Sequence, residues 1–293
     1  MHRDTARSPF ALTSHEAITQ FRIAVDKLSE TVSCCAPESV ESSIQEGLAD
    51  AAITTVLQAA AGDGTRHRAL DDLAQRATTF QPTRVSSARD VGALVRVELL
   101  SALDAAWWSH VPPYRTDDQI RADVDLVDLR SARRHRDLRF GFRVQVFDPV
   151  RRALRAADRR ALPHRSPRTI GMRLPYGRPE MIGVLNSLAD DLAARAPGAP
   201  QIWVNSLVRS LAYQDEMRSS GYTAATGSAH CVGWAADIEM AWMKHNGYGN
   251  ALADLLIERA HAAEFNVIDE GQAWHICLNP AMTTGGSTCA ESR

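Results

Sequence analysis

Lysine is almost missing from this chain: Lys27 and Lys244 are the whole complement, and the rest of the positive charge is arginine. The 33 basic residues are offset by 35 acidic ones, for a net charge of -2 and a pI near 6.6. No whole-protein field therefore draws the chain to nucleic acid or to an anionic membrane surface. No apolar run approaches the roughly 20 residues of a membrane span, and Met1 to Phe10 lacks the apolar core of a signal peptide. The sequence reads as a cytoplasmic protein. Five cysteines, with Cys34 and Cys35 adjacent, do not make an extracellular disulfide framework. Aromatics are sparse at 6%. The arginine-rich stretch from Arg130 to Arg160 has none of the interleaved exposed rings of a nucleic-acid interface. It is expected to be a solvated face paired to Asp123, Asp125, Asp128, Asp137 and Asp158.

What is present is enough apolar residue, 45% of 293, to bury a sizeable core in one large or two ordinary domains. Thr13-Ser-His-Glu16 has the form of a capping box, and Ile18, Phe21, Val25 and Leu28 follow at helical spacing. One long helix is expected from Ser39 to Ala61, a short one from Leu70 to Ala77, and a strongly apolar one from Ser87 to Trp108, stopped by Pro112-Pro113. Phe140 to Phe147 alternates as a strand. Pro163 to Pro167 punctuates the chain. Beyond it come a short strand at Thr169–Leu174, a helix from Pro179 to Ala196, a buried strand from Ile202 to Val208, a helical turn at Tyr213–Ser219, and a helix from Gly249 to Glu264. A hairpin is expected to join Asn266–Asp269 to Ala273–Cys277 across Glu270-Gly271. The predicted fold class is α+β: residues 1–165 form a mainly helical region with one arginine-rich, strand-containing segment, and residues 166–293 form a small antiparallel-sheet domain with helices.

The chemistry concentrates in Ser228-Ala-His230-Cys-Val-Gly233-Trp-Ala235-Ala-Asp237-Ile238, answered by Trp274-His275. Two imidazoles and one carboxylate make a three-ligand set with a fourth position open, which is how a catalytic zinc is held. His230 is expected to end an extended segment, with Gly233 turning the chain and Asp237 returning on the next strand. In that strand Ala235, Asp237 and Glu239 share one face, and Trp234, Ala236 and Ile238 the other. Cys231 and Cys277 read as small buried hydrophobes, with a competing thiolate ligand as the alternative.

Ser-x-His-x-x-Gly-x-Ala-x-Asp followed by Trp-His resembles the zinc D-alanyl-D-alanine carboxypeptidase and dipeptidase family of peptidoglycan peptidases, over about the last 110 to 130 residues. The resemblance implies a Zn2+ ion held by His230, Asp237 and His275. It also implies that Arg209, after the strand Val204-Asn-Ser-Leu-Val208, binds a substrate carboxylate or the developing oxyanion. The family's general-base glutamate, three places before the second histidine, is here Gln272, which can orient a water or a carbonyl but cannot take a proton. Glu270 is the first candidate for the base and Glu239 the second. The implied function is zinc-dependent hydrolysis of a peptide or peptidoglycan-type amide with a free carboxylate. Two alternatives remain: a non-hydrolytic zinc domain that binds a peptide-like ligand or protein, and a biosynthetic enzyme acting on an amide intermediate. Neither a nucleic-acid partner nor a membrane span is expected.

Overall fold

The computed structural model describes residues 12–60, 73–82, 86, 88–146, 148–150, 153, 154, 156, 157, 167, 169, 171–220 and 228–283. Its architecture is α+β, a small and mostly antiparallel sheet joined to a mainly helical N-terminal region. Helix α1 (His15–Cys34) starts where the Ser14 side chain accepts from the amide of Ala17, and buries Ile18, Phe21, Val25, Leu28 and Val32 on one stripe. The cap is thus Ser14, not the expected Thr13.

The long helix expected from Ser39 is instead two, α2 (Val40–Leu48) and α3 (Ala51–Ala60). The break has a local cause. The Asp50 carboxylate accepts from the amides of Ala52 and Ile53, capping a new helix in mid-stretch. Residues 73–79 are helical, and the rest of the expected Leu70–Ala77 segment lies outside the described residues. Helix α4 (Val91–Trp108) begins at an Asp90 cap rather than at Ser87, and most of its surface is buried. Helices α1 and α3 pack on it.

Between this unit and the rest come α5 (Asp117–Ala122), the short strand β1 (Val127–Asp128), α6 (Leu129–His135) and β2 (Gly141–Phe142). The strand expected over Phe140–Phe147 is shorter than its alternation suggests; Val144 makes one further bridge to Met172, and Phe147 lies outside the described residues. No strand forms over Thr169–Leu174 beyond that bridge among the residues described there. Then follow β3 (Tyr176–Gly177), α7 (Pro179–Arg195), β4 (Trp203–Ser206), α8 (Leu211–Ser219), β5 (Ala235–Glu239), α9 (Met240–His245), α10 (Gly249–His261), β6 (Phe265–Asp269) and β7 (Ala273–Leu278).

The sheet runs β2-β4-β5-β7-β6, with β2 parallel to β4 and every other neighbour antiparallel. The hairpin β6–β7 is as expected, turned at Gly271 with φ +81°. Pro163 to Ser166 lie outside the described residues. Across that segment β1 pairs with β3 and β2 with β4, and one continuous apolar core runs from Ile18 to Leu278. Helix α4 closes onto the sheet through its last residue. Trp108 stacks on Trp234 at 4.5 Å, nearly parallel, and its Nε1 donates to the Leu278 carbonyl at 3.0 Å.

Two described arginines of the middle segment have partners other than those expected, while Arg151, Arg152, Arg155, Asp158, Arg159 and Arg160 lie outside the described residues. Arg133 lies over the Phe142 ring and donates to its carbonyl, and Arg139 faces Asp190. Asp128 caps α6, and Asp123 accepts from the Tyr114 hydroxyl.

Candidate metal centre

Asp237 and His275 are directly opposed residues of the antiparallel pair β5–β7, so the ladder itself sets a carboxylate beside an imidazole. His230 comes to them on a 3-10 turn, Ala229–Val232, not on the extended segment expected for it. The turn is held on every side. The amide of Arg209 donates to the His230 carbonyl, that of Tyr114 to the Cys231 carbonyl, and Arg178 Nε to the Val232 carbonyl at 3.0 Å. Gly233 then reverses the chain at φ +82°, the role expected of it.

The three side chains are buried and converge. His230 Nε2 lies 2.9 Å from Asp237 Oδ1, His275 Nδ1 lies 3.1 Å from the same oxygen, and the two nitrogens are 3.2 Å apart. Metal bonds of about 2.0–2.1 Å at tetrahedral angles would set donor atoms about 3.3 Å from one another. The group could therefore hold a metal ion, and it is the set of His, Cys, Asp and Glu side chains among the described residues that is close enough to share one.

The far nitrogens are occupied. His230 Nδ1 faces the Leu207 carbonyl at 2.5 Å, and His275 Nε2 faces Asp104 Oδ2 at 3.0 Å. A carbonyl accepts and never donates, so Nδ1 of His230 carries the proton and Nε2 is bare toward Asp237. This arrangement of outer acceptors is the one that orients metal-binding imidazoles.

The charges follow from burial and neighbours. Burial, helped by the charge of Arg209, pushes His230 down to about 4, so it is neutral at pH 7. For His275 burial works against the charged form, but hydrogen bonds to Asp104 and Asp237 outweigh it and lift the ring to about 10. Burial would raise Asp237 as well; His230 and Arg209 overcome it and hold the carboxyl well below its usual range. Buried Cys231 and Cys277 are pushed up and remain thiols, which leaves them the small hydrophobes of the sequence reading.

A cleft of about 910 Å³ opens on Asp237 and Arg209, and Asn205, Glu239, Gln272, Arg143 and Arg173 also line it. Arg209 does follow β4, as expected. Its Nη2 donates to Asp237 Oδ2 and its Nε to Ser206 at 2.8 Å. Glu239, buried and raised by that burial, accepts from Asn205 at 2.7 Å. Glu270 is half-buried at the end of β6 and is lifted to about 7, by burial first and then by the charge of Asp237. Gln272 is exposed on the turn, and its carbonyl accepts from Met240 and Ala241.

The residue that sequence reasoning missed is Asp104. It sits in Leu99-Leu-Ser-Ala-Leu-Asp104-Ala-Ala-Trp-Trp108, a carboxylate inside an otherwise apolar helical run, and it is 3% exposed. A buried carboxylate needs a partner, and that was the available signal. Compared with family models, with curated proteins and with solved structures, the chain gives no match.

Proposed function

We propose that the protein is a zinc-dependent hydrolase of peptide or peptidoglycan-type amide bonds, similar in its motif to the D-alanyl-D-alanine carboxypeptidases and dipeptidases. The observation that carries the reading is the convergence of His230 Nε2, His275 Nδ1 and Asp237 Oδ1, with both imidazoles fixed from behind and Asp237 itself lining a cleft. Two nitrogens and one carboxylate oxygen fit zinc, and three protein ligands leave a fourth position for chemistry. When bound, the ion polarises the scissile carbonyl and lowers the pKa of water at the site.

The remaining roles fall to the chain's own side chains. Glu270, poised near neutral pH, accepts the proton of the attacking water and returns it to the leaving amine. Gln272 at the cleft rim orients the substrate amide through its own amide group. Arg209 holds Asp237 in place, and its position on the cleft wall also puts its charge next to a developing oxyanion. Arg143 lines the same cleft and favours a substrate that ends in a free carboxylate, whereas Arg173 on its wall is paired with Asp117 and Glu216. At about 910 Å³ the space is that of a typical small-molecule site and takes several peptide residues, so stem peptides suit it better than a bare dipeptide.

The test is zinc per chain by elemental analysis for wild type and His230→Ala, with both then assayed against D-Ala-D-Ala and peptidoglycan stem peptides, with and without chelator. The expected result is about one zinc per chain, lost in the variant, and chelator-sensitive cleavage. Zinc without cleavage of any amide tested would favour the non-hydrolytic binding reading, for which glutamine at position 272 is the supporting observation. No zinc in the wild type would end the metal reading.

A further inference from the structure

Asp104 does not act alone. Its Oδ1 accepts from Asn266 Nδ2 at 2.7 Å while its Oδ2 faces His275, and the Asn266 amide also donates to the Leu100 carbonyl at 2.9 Å. Asn266 Oδ1 in turn accepts from Arg22 Nη2 at 2.5 Å, and the same guanidinium nitrogen reaches the Val267 carbonyl at 3.3 Å. Asn266 is fully buried and Asp104 nearly so.

The direction of every proton in this chain is set from one end. A guanidinium only donates, so it must meet the oxygen of the Asn266 amide. That turns the nitrogen toward Leu100 and Asp104. The Asp104 carboxylate, acceptor-only, can then be satisfied at its other oxygen by a proton on His275 Nε2. When a metal displaces the second proton of the ring, the proton kept on Nε2 leaves Nδ1 as the free donor toward Asp237 and His230. Arg22 lies on α1 and Asp104 on α4, whereas His275 lies on β7.

We infer that Asp104 is the positioning carboxylate of the metal centre, held by Asn266 and Arg22, so that the N-terminal helices are a working part of the site and not an appended unit. The inference rests on the metal reading of His230, Asp237 and His275. Outer carboxylates of this kind fix the ring orientation and basicity of a ligand histidine, and their loss typically weakens metal binding by roughly 10- to 100-fold. Two helices distant in sequence from the ligands thereby select the tautomer that can bind a metal.

The experiment uses the full-length chain freed of metal: wild type, Asp104→Asn and Arg22→Met. Each is titrated with zinc against a chromophoric chelator and, separately, with cobalt(II), whose visible absorption reports ligand field and geometry. Circular dichroism and thermal melting of the metal-free proteins report folding. Asp104→Asn is expected to raise the zinc Kd by roughly 10- to 100-fold and to shift the cobalt bands. Arg22→Met, which touches no ligand, is expected to move both in the same direction by a smaller factor. A carboxylate of merely structural value would lower the melting temperature and leave the cobalt spectrum of the folded protein unchanged. Folded Asp104→Asn with wild-type zinc Kd and cobalt spectrum overturns the inference alone. If Asp104→Asn does not fold, an unchanged Kd and spectrum in Arg22→Met overturns it instead. Uptake of neither metal by the wild type overturns the metal reading and this inference with it.

Discussion

Arg209 and Asp237 form an ion pair in which the guanidinium takes Oδ2 of the carboxylate, leaving Oδ1 to face both His230 and His275. One oxygen is thereby assigned to the cation of the protein and the other to the place where a metal would sit. The role expected for Arg209 was contact with substrate; the contact present is with Asp237 of the group that could hold a metal. Arg209→Ala should therefore raise the zinc Kd, by about 10-fold as for other outer partners of a metal ligand, and lower turnover with it. Arg209→Lys should recover little, because one ammonium cannot reach Ser206 and Asp237 with the same fork. Chelator competition gives the Kd; a change confined to KM with zinc binding intact would return Arg209 to substrate binding alone.

Glu270 sets the expected pH dependence. Burial and the charge of Asp237 raise it to about 7, and a general base works only when deprotonated. Cleavage should fall about tenfold per pH unit below that value and level off above it, and a bound cation would move the limb to lower pH without changing its direction. Glu270→Gln should cost roughly 10²- to 10⁴-fold in kcat and remove the limb. Gln272→Ala should cost less than about tenfold, the scale of one neutral hydrogen bond. A pH–rate profile of each variant decides it, and an intact limb in Glu270→Gln would pass the role to Glu239.

Gly233 should not tolerate a side chain. Its φ of +82° is a left-handed conformation, and an added Cβ would lie 3.1 Å from Arg178 Nε, which anchors the Val232 carbonyl. Gly233→Ala is expected to lose about 1–2 kcal/mol of stability from the backbone conformation. Denaturant unfolding of the metal-free protein measures it. Because the turn also carries His230, zinc affinity should fall in the same variant.

Trp108 ties α4 to the sheet. Trp108→Phe keeps an aromatic ring over Trp234 but leaves the Leu278 carbonyl without its donor, which should cost about 1–3 kcal/mol for an unsatisfied buried group. Denaturant midpoints compared with wild type test this. A change in zinc affinity beyond that of an equally destabilised control would show that α4 also positions Asp104 through this anchor.

Elements whose pattern is carried by one stripe were legible in the sequence. Ile18, Phe21, Val25 and Leu28 are all buried on α1, and Leu94, Val95, Leu99 and Leu103 on α4, because helical periodicity reflects the side that must leave water. Boundaries were less so. Asp50 splits a continuous apolar pattern by offering its carboxylate to two amides, a local contest that periodicity does not register. The strand at Phe140 stops at Phe142 although the alternation continues, since beyond it the chain leaves β4 and Val144 bridges Met172 instead. No helix of the described residues is long and apolar enough to cross a membrane, in line with the absence of long apolar runs.

The sequence by itself marked the donor set, through the spacing of His230 and Asp237 around Gly233 and the distant Trp274-His275 pair, and the β5–β7 ladder then sets His275 opposite Asp237. It also determined the reversal at Gly233 and the hairpin that carries His275. Only the tertiary structure decided which nitrogen of His275 points inward, because that depends on Asp104, Asn266 and Arg22, drawn from α4, β6 and α1. It alone decided that Arg209 meets Asp237. Both are long-range hydrogen bonds between side chains with no common periodicity, so each exists only once packing has fixed the distance between elements far apart in the chain.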